Sequence, residues 1–363
     1  MNRTVARPAA LLNRVLSEDP PGGLLLNIIL SLILVALALA PFLFPGAKAL
    51  GVASRICIFV ILVASYDLML GYTGIVSFAH LMVFGIGAYG VGILLAKGWV
   101  GWGAVLLGTA CGVAIAAAVA VVIGALSLRV QAIFFAMITL AVASFALILA
   151  EQWRDLTGGE DGLSFSVPEV LRPSFHLFDE PVLGVNVNGT VITYYLTFVV
   201  ALLLFLFMLR VVNSPFGRVL QAIRENEFRV EAMGYQVVAH RTMVCVIAAV
   251  MGALAGALMA LVLRYVGPDA TMSFSLVIDV LLMVVIGGMG TLYGAVIGAI
   301  LVVMSEYYLR DVLGLISGAM TGIPLLSALF QPDRWLLWLG LLFVLVVIFF
   351  PQGIVGRLRR RSK

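Results

Sequence analysis

Long apolar runs separated by short polar connections dominate this chain, and they predict its architecture. About 23 polar residues with Arg3, Arg7 and Arg14 come first. Apolar runs then occupy roughly residues 24–44, 52–70, 75–96, 100–127, 130–150, 190–210, 242–263, 273–289, 291–309 and 335–351. A helix needs ~20 apolar residues to cross the hydrocarbon core, where every backbone N–H and C=O must be paired within the segment. The pattern therefore predicts an all-α polytopic membrane protein with about ten transmembrane helices, in one domain over residues 24–355. The first run is too long for a signal-peptide core and lacks a small-residue cleavage site, so it reads as a retained span. Residues 312–332 fit less easily. They are nearly long enough to span but hold Gly314, Gly318, Gly322 and Pro324. A full span there would also put the RLRRR tail across the membrane from the other basic loops. A re-entrant or surface-lying segment is expected instead.

Composition supports this class. The chain is 63% hydrophobic and 11% charged, with a mean hydropathy of +1.16, whereas soluble domains are about 25% charged. The basic excess comes from arginines beside the spans and gives no nucleic-acid signal. Cys57, Cys111 and Cys245 sit singly in apolar runs and read as packing residues.

Charge also orients the spans. With residues 1–23 in the cytoplasm, fourteen basic residues fall inside and eight outside, including the basic tail 356–363 inside. Both termini are then cytoplasmic. The loop 151–189 falls outside and is acidic. The most polar internal stretch, residues 213–241, falls inside, with Arg218, Arg224, Glu225, Glu227, Arg229, Glu231 and Arg241.

That stretch has local helix signals. Ser214 is an N-cap followed by Pro215, the residue best tolerated at the first helical position. Residues 216–225 read as a helix stopped at Asn226. A second short helix begins at Glu227 and ends at Gly234, which can take the left-handed capping conformation. The result is a pair of short helices between two spans. A solvated loop obeying the charge rule fits the same residues.

The glycine-dense stretch 71–92 suggests a broken helix at Gly71 and Gly74, as is tolerated where backbone lines a cavity. Close helix packing explains Gly85 and Gly87 better than any binding role. Tyr72, Gly74, Ser77 and Phe78 are echoed loosely by Tyr265, Gly267, Ser273 and Phe274, with three residues inserted, at opposite membrane surfaces. That parity is expected of an inverted repeat. Asp67, Asp279 and Glu306 are acids within or at the ends of spans, where they are functional candidates; a structural hydrogen bond between helices fits them too. No HExxH, GxSxG or metal-spaced Cys/His set occurs, and no GxxxxGK[ST] phosphate loop. No cofactor, metal site or enzymatic activity is expected.

These stretches resemble the LivM/LivH family, permease subunits of branched-chain amino-acid-type ABC importers. Gly71, Tyr72, Gly74, Ser77, His80, Phe84 (one position late), Gly85, Gly87, Ala88 and Tyr89 are similar to its glycine-rich pattern, with Ala79 where a Gly is usual. Its cytoplasmic loop is resembled by Ser214, Pro215, Phe216, Gly217, Arg218, Leu220, Ala222, Ile223, Arg224, Glu225, Asn226, Glu227, Glu231 and Gly234, with Val230 replacing the usual Ala. Thr157, Gly158, Gly159, Asp161 and Gly162 resemble its outer loop, Gly287, Gly288, Gly290, Thr291 and Gly294 its later turn, and Pro351, Gln352 and Gly353 its closing motif.

The resemblance implies that the 213–241 segment docks on an ATP-binding-cassette subunit and couples ATP hydrolysis to the spans. It implies two such ATPases, a second LivH-type permease, a periplasmic binding protein meeting the outer loop, and a bacterial inner-membrane location. Amino acids or related small carboxylates and amides would be the substrates, with Tyr72, Gly74, Ser77, His80, Tyr89 and Asp279 on their pathway. The alternative is an ion-coupled secondary transporter using Asp67, His80 or Asp279.

Overall fold

The computed structural model describes residues 24–44, 46–127, 132–177, 186–319, 329–350 and 352–360. Every predicted run forms a helix. In chain order these are α1 (Leu24–Ala38), α2 (Ala47–Thr73), α3 (His80–Ala96), α4 (Trp102–Ser127), α5 (Ala132–Gln152) and α6 (Gly189–Val212). Two short helices follow, α7 (Pro215–Glu225) and α8 (Glu227–Ala232), then α9 (Val237–Leu263), α10 (Phe274–Gly287), α11 (Leu292–Ala319), α12 (Trp335–Phe349) and α13 (Gly353–Arg360). Eight of the apolar segments among the described residues are long enough to cross a membrane. The helices α1 and α3 have 15 and 17 residues, or about 22 and 26 Å at 1.5 Å per residue.

The spans are not equivalent. The most apolar windows of α2 and α9 are 72% and 67% buried, against 22%, 17% and 12% for α4, α5 and the segment containing α12. The helices α2 and α9, together with the largely buried α3, are thus the centre, and α4, α5 and α12 present apolar side chains outward. Small residues let backbones approach closely around α3. A Cβ on Gly87 would overlap the Ala253 carbonyl, one on Gly256 the Phe84 carbonyl, and one on Gly90 the Gly108 carbonyl. Gly87 is therefore a packing residue. The helix α1 is tied on through α6, where Tyr195 donates to the Ala38 carbonyl (3.1 Å) and Tyr194 to that of Leu37.

The two central helices are built alike. Each has 27 residues and ends on a left-handed residue, Gly74 (φ 72°) after α2 and Arg264 (φ 56°) after α9. Each is followed by a connection, which after α9 includes the single helical turn Pro268–Thr271, and then a shorter helix, of 17 residues for α3 and 14 for α10. Residues 74–79 turn back along α2, so that His80 stands beside Ser65, with Ser65 Oγ 2.9 Å from His80 Nε2. Ser65 lies eight residues before the end of α2, about 12 Å up its axis. The two connections end near each other, with the Phe78 and Phe274 rings 6.3 Å apart.

The expectation of a separate segment over 312–332 is corrected in its first part. Residues 312–319 are the last turns of α11, because the apolar pattern of that helix continues past Asp311 with helix-compatible residues. Residues 320–328 lie outside the described residues, and Pro332–Arg334 form a short turn into α12. The predicted segment 1–23 and the tail residues 361–363 also lie outside them, as do 178–185 of the acidic loop.

Candidate functional site

The polar stretch forms a capped helix pair. Ser214 accepts a hydrogen bond from the Gly217 amide (3.4 Å), and Pro215 occupies the first turn of α7. A Cβ on Gly217 would overlap the Val212 carbonyl, so α7 can fold directly against the end of α6. Asn226 closes one helix and opens the next: its amide bonds to the Ala222 carbonyl (2.9 Å) and its Oδ1 accepts from the Arg229 amide (2.9 Å). At the far end Gly234 takes φ 90° and its amide bonds to the Glu231 carbonyl (2.8 Å). Residues 237–241, predicted as part of the polar stretch, belong to α9.

Further contacts hold the pair together. Ile223, Val230 and Val237 bury against one another, a small core joining α7, α8 and the start of α9. Glu227 receives both guanidinium nitrogens of Arg241 at 2.7 and 2.9 Å. Phe216 stacks on His240 at 5.9 Å, and Tyr235 meets the same ring edge-on.

The outward face combines charge with apolar surface. Arg218, Glu225, Arg229 and Glu231 are exposed, and Phe228 among them is 82% exposed, with Met233 at 61%. Sequence reading missed Phe228, Met233 and Tyr235 as surface residues. The available signal was their position on short helices outside every apolar run.

The inward face contacts the spans. Arg224 donates to the Gly71 carbonyl at the end of α2. Asp67, one turn earlier, accepts a hydrogen bond from the Gly290 amide at 2.9 Å. A Cβ on Gly71 would overlap both Asp67 Oδ1 and the Gly290 nitrogen. Gly290 (φ 80°) also lies against the Arg224 guanidinium, and Gly353 packs on Gly288. Four separated motifs, around Gly71, Arg224, Gly290 and Gly353, thus meet at one end of the bundle. The second carboxylate oxygen of Asp67 is buried without a hydrogen-bond partner among the described residues.

The opposite end has its own junction. Thr157 donates to the carbonyls of Ala150 (2.6 Å) and Trp153 (2.7 Å), and Gly158, Gly159 and Gly162 all take positive φ. This turn leads into β1 (Leu163–Ser164), which pairs antiparallel with β2 (Tyr265–Val266), and Tyr265 donates to the Asp161 carbonyl at 3.1 Å. The side chains of Glu160 and Asp161 remain exposed.

The expected pathway residues are not gathered in one open cavity. Tyr72, Ser77, His80 and Tyr89 are buried. His80 meets Ser65 and the edge of the Tyr66 ring (5.3 Å), beside a cavity of about 30 Å³ also lined by Ser77, Met69 and Cys245. Space of that size suits a water molecule. Asp279 is half-buried on α10, apart from this cavity. No group of three metal-ligating side chains occurs among the described residues.

Fold and site together define a polytopic membrane protein that holds a rigid polar helix pair against the ends of its central spans. The family model described as the permease component of a branched-chain amino acid transport system matches residues 48–350. The chain belongs to this family and is the permease subunit of an importer. It is 27% identical over 354 residues to the high-affinity branched-chain amino acid transport permease protein LivM of Escherichia coli, covering 92% of this chain and 76% of that one. It is 25% identical over 351 residues to the Salmonella typhimurium LivM, with the same coverage. The probable LivM of Methanocaldococcus jannaschii is 30% identical over 218 residues, 60% of this chain and 58% of that one. No solved structure matches. Family membership disfavours the ion-coupled alternative, and Asp67, one of its candidate acids, is already hydrogen-bonded to the Gly290 amide.

Proposed function

We propose that the α7–α8 pair is the handle by which a separate ATP-binding-cassette ATPase moves this membrane subunit. Two such ATPases, a second LivH-type permease and a periplasmic binding protein complete the transporter. It lies in the bacterial inner membrane, with the helix pair cytoplasmic and the β1–β2 end periplasmic. The observation that carries this reading is the exposed Phe228, held among Glu225, Arg229 and Glu231 on a capped, ion-paired knob. An apolar anchor ringed by charge suits docking into a partner cleft. Ser214, Pro215, Phe216, Gly217 and Arg218 build the knob, and Arg224, Glu225, Glu227, Glu231 and Gly234 shape or present its contacts. The turn at Thr157, Gly158, Gly159, Asp161 and Gly162 meets the binding protein.

The transported solutes are amino acids or related small carboxylates and amides, as the LivM relatives' names indicate for their own branched-chain substrates. The test is reconstitution with candidate ATPases: Glu231→Ala should retain membrane insertion while ATP-driven leucine uptake falls at least tenfold. Full uptake by that variant would contradict the reading.

A further inference from the structure

Among the described residues, charge within the spans is concentrated on a few neighbouring helices. Helices α4 and α12 carry no charged residue, and α5 only Glu151 at its end, consistent with their exposed apolar faces. The neighbouring helices α2, α10 and α11 instead carry Arg55, Asp279, Glu306 and Arg310, all outside the helix-pair junction. Asp279 and Glu306 lie within electrostatic reach of each other, and Glu306 of Arg55 and Arg310. The Arg55 guanidinium sits 5.1 Å above the Tyr307 ring and that of Arg310 4.5 Å above Trp335.

Neither carboxylate has a hydrogen-bond or ion-pair partner among the described residues. Both are half-buried rather than enclosed. Ser275, one turn before Asp279 on the same stripe, is exposed, and α10 starts without a side-chain cap. Glu306 has two arginines within electrostatic reach but no hydrogen bond to either, and Asp279 has no cation beside it among the described residues. Half-exposed acids within spans are costly to leave against lipid and face an interior, water or a polar ligand.

We propose that Arg55, Ser275, Asp279 and Glu306 form the surface over which a small zwitterionic solute passes. The two carboxylates receive an ammonium group and Arg55 a carboxylate, matching the two ends of an α-amino acid. This inference rests on the permease reading and adds the place where the chain meets its cargo. A lone anion or cation would satisfy only half of the stripe.

The test uses the complete transporter in proteoliposomes, with leucine as the probe. Asp279→Asn and Glu306→Gln should each lower ATP-driven uptake per assembled complex at least tenfold, with Asp279→Glu recovering part of it. Lys97→Ala, which removes an exposed charge at the C-terminal end of α3, should leave uptake unchanged. In a Cys111→Ala background, Ser275→Cys should react with a hydrophilic cationic thiol reagent in the intact transporter, and leucine with its loaded binding protein should slow the reaction. Uptake within twofold of wild type for both carboxamide variants overturns the proposal. So does reaction of Ser275→Cys in the isolated chain only, which would mark a surface covered by another subunit. If wild type imports no leucine under ATP, the assigned substrate class fails, and the Ser275→Cys labelling still decides whether the stripe faces water.

Discussion

Arg224 of the exposed helix pair donates a hydrogen bond to the carbonyl of Gly71, 153 residues earlier in the chain and at the end of the most buried span. It makes α7 continuous with α2 rather than a loop beside it. One turn up, Asp67 holds the Gly290 amide, so that the α10–α11 turn joins the same junction. A displacement of the pair therefore reaches three spans through hydrogen bonds and close packing.

Gly71 should tolerate no side chain. In Gly71→Ala the new Cβ would meet the Asp67 carboxylate and the Gly290 backbone, overpacking on the order of 3 kcal/mol. Thermal unfolding of the purified chain in detergent should show a clear loss of stability. A transition unchanged from wild type would mean that the junction is looser than described.

Gly234 tests conformation alone. It has open space around it but φ 90°, so Gly234→Ala should cost about 1–2 kcal/mol through backbone strain. Proteolysis between α8 and α9 should become faster while the spans stay protected. An unchanged cleavage rate would show that α8 needs no left-handed cap.

The Glu227–Arg241 pair should matter less than its geometry suggests. Glu227 is 46% exposed, and ion pairs of that kind contribute about 0–1 kcal/mol. Glu227→Gln should therefore weaken ATPase binding by no more than about fivefold. Phe228→Ala should weaken it far more, by about 2 kcal/mol or some thirtyfold, as apolar interface anchors do. Affinity measured by surface immobilisation separates the two, and the reverse ranking would refute the docking role of Phe228.

The local signals in the chain were sufficient for local structure. The Ser214–Pro215 start, the Asn226 break and the Gly234 stop all appear where side-chain chemistry predicted them. Ten apolar runs became ten helices, because hydropathy alone decides which segments can satisfy their backbone in lipid. What could not be read was long-range. Nothing near Arg224 points to Gly71, and nothing near Asp67 points to Gly290, since those contacts depend on how the helices assemble. The extent of α11 was also hidden, because Gly314 and Gly318 look like breakers yet sit within a helix whose other residues favour it. Phe228 sits among charged neighbours, so its local pattern does not distinguish it as an exposed anchor.

The central claim is that the helix pair moves the spans through Arg224. The direct measurement is leucine imported per ATP hydrolysed by the reconstituted transporter, comparing wild type, Arg224→Lys and Arg224→Ala. The account predicts that the ratio falls at least tenfold in Arg224→Ala and less in Arg224→Lys, which keeps a donor for the Gly71 carbonyl. An Arg224→Ala ratio equal to wild type would contradict it.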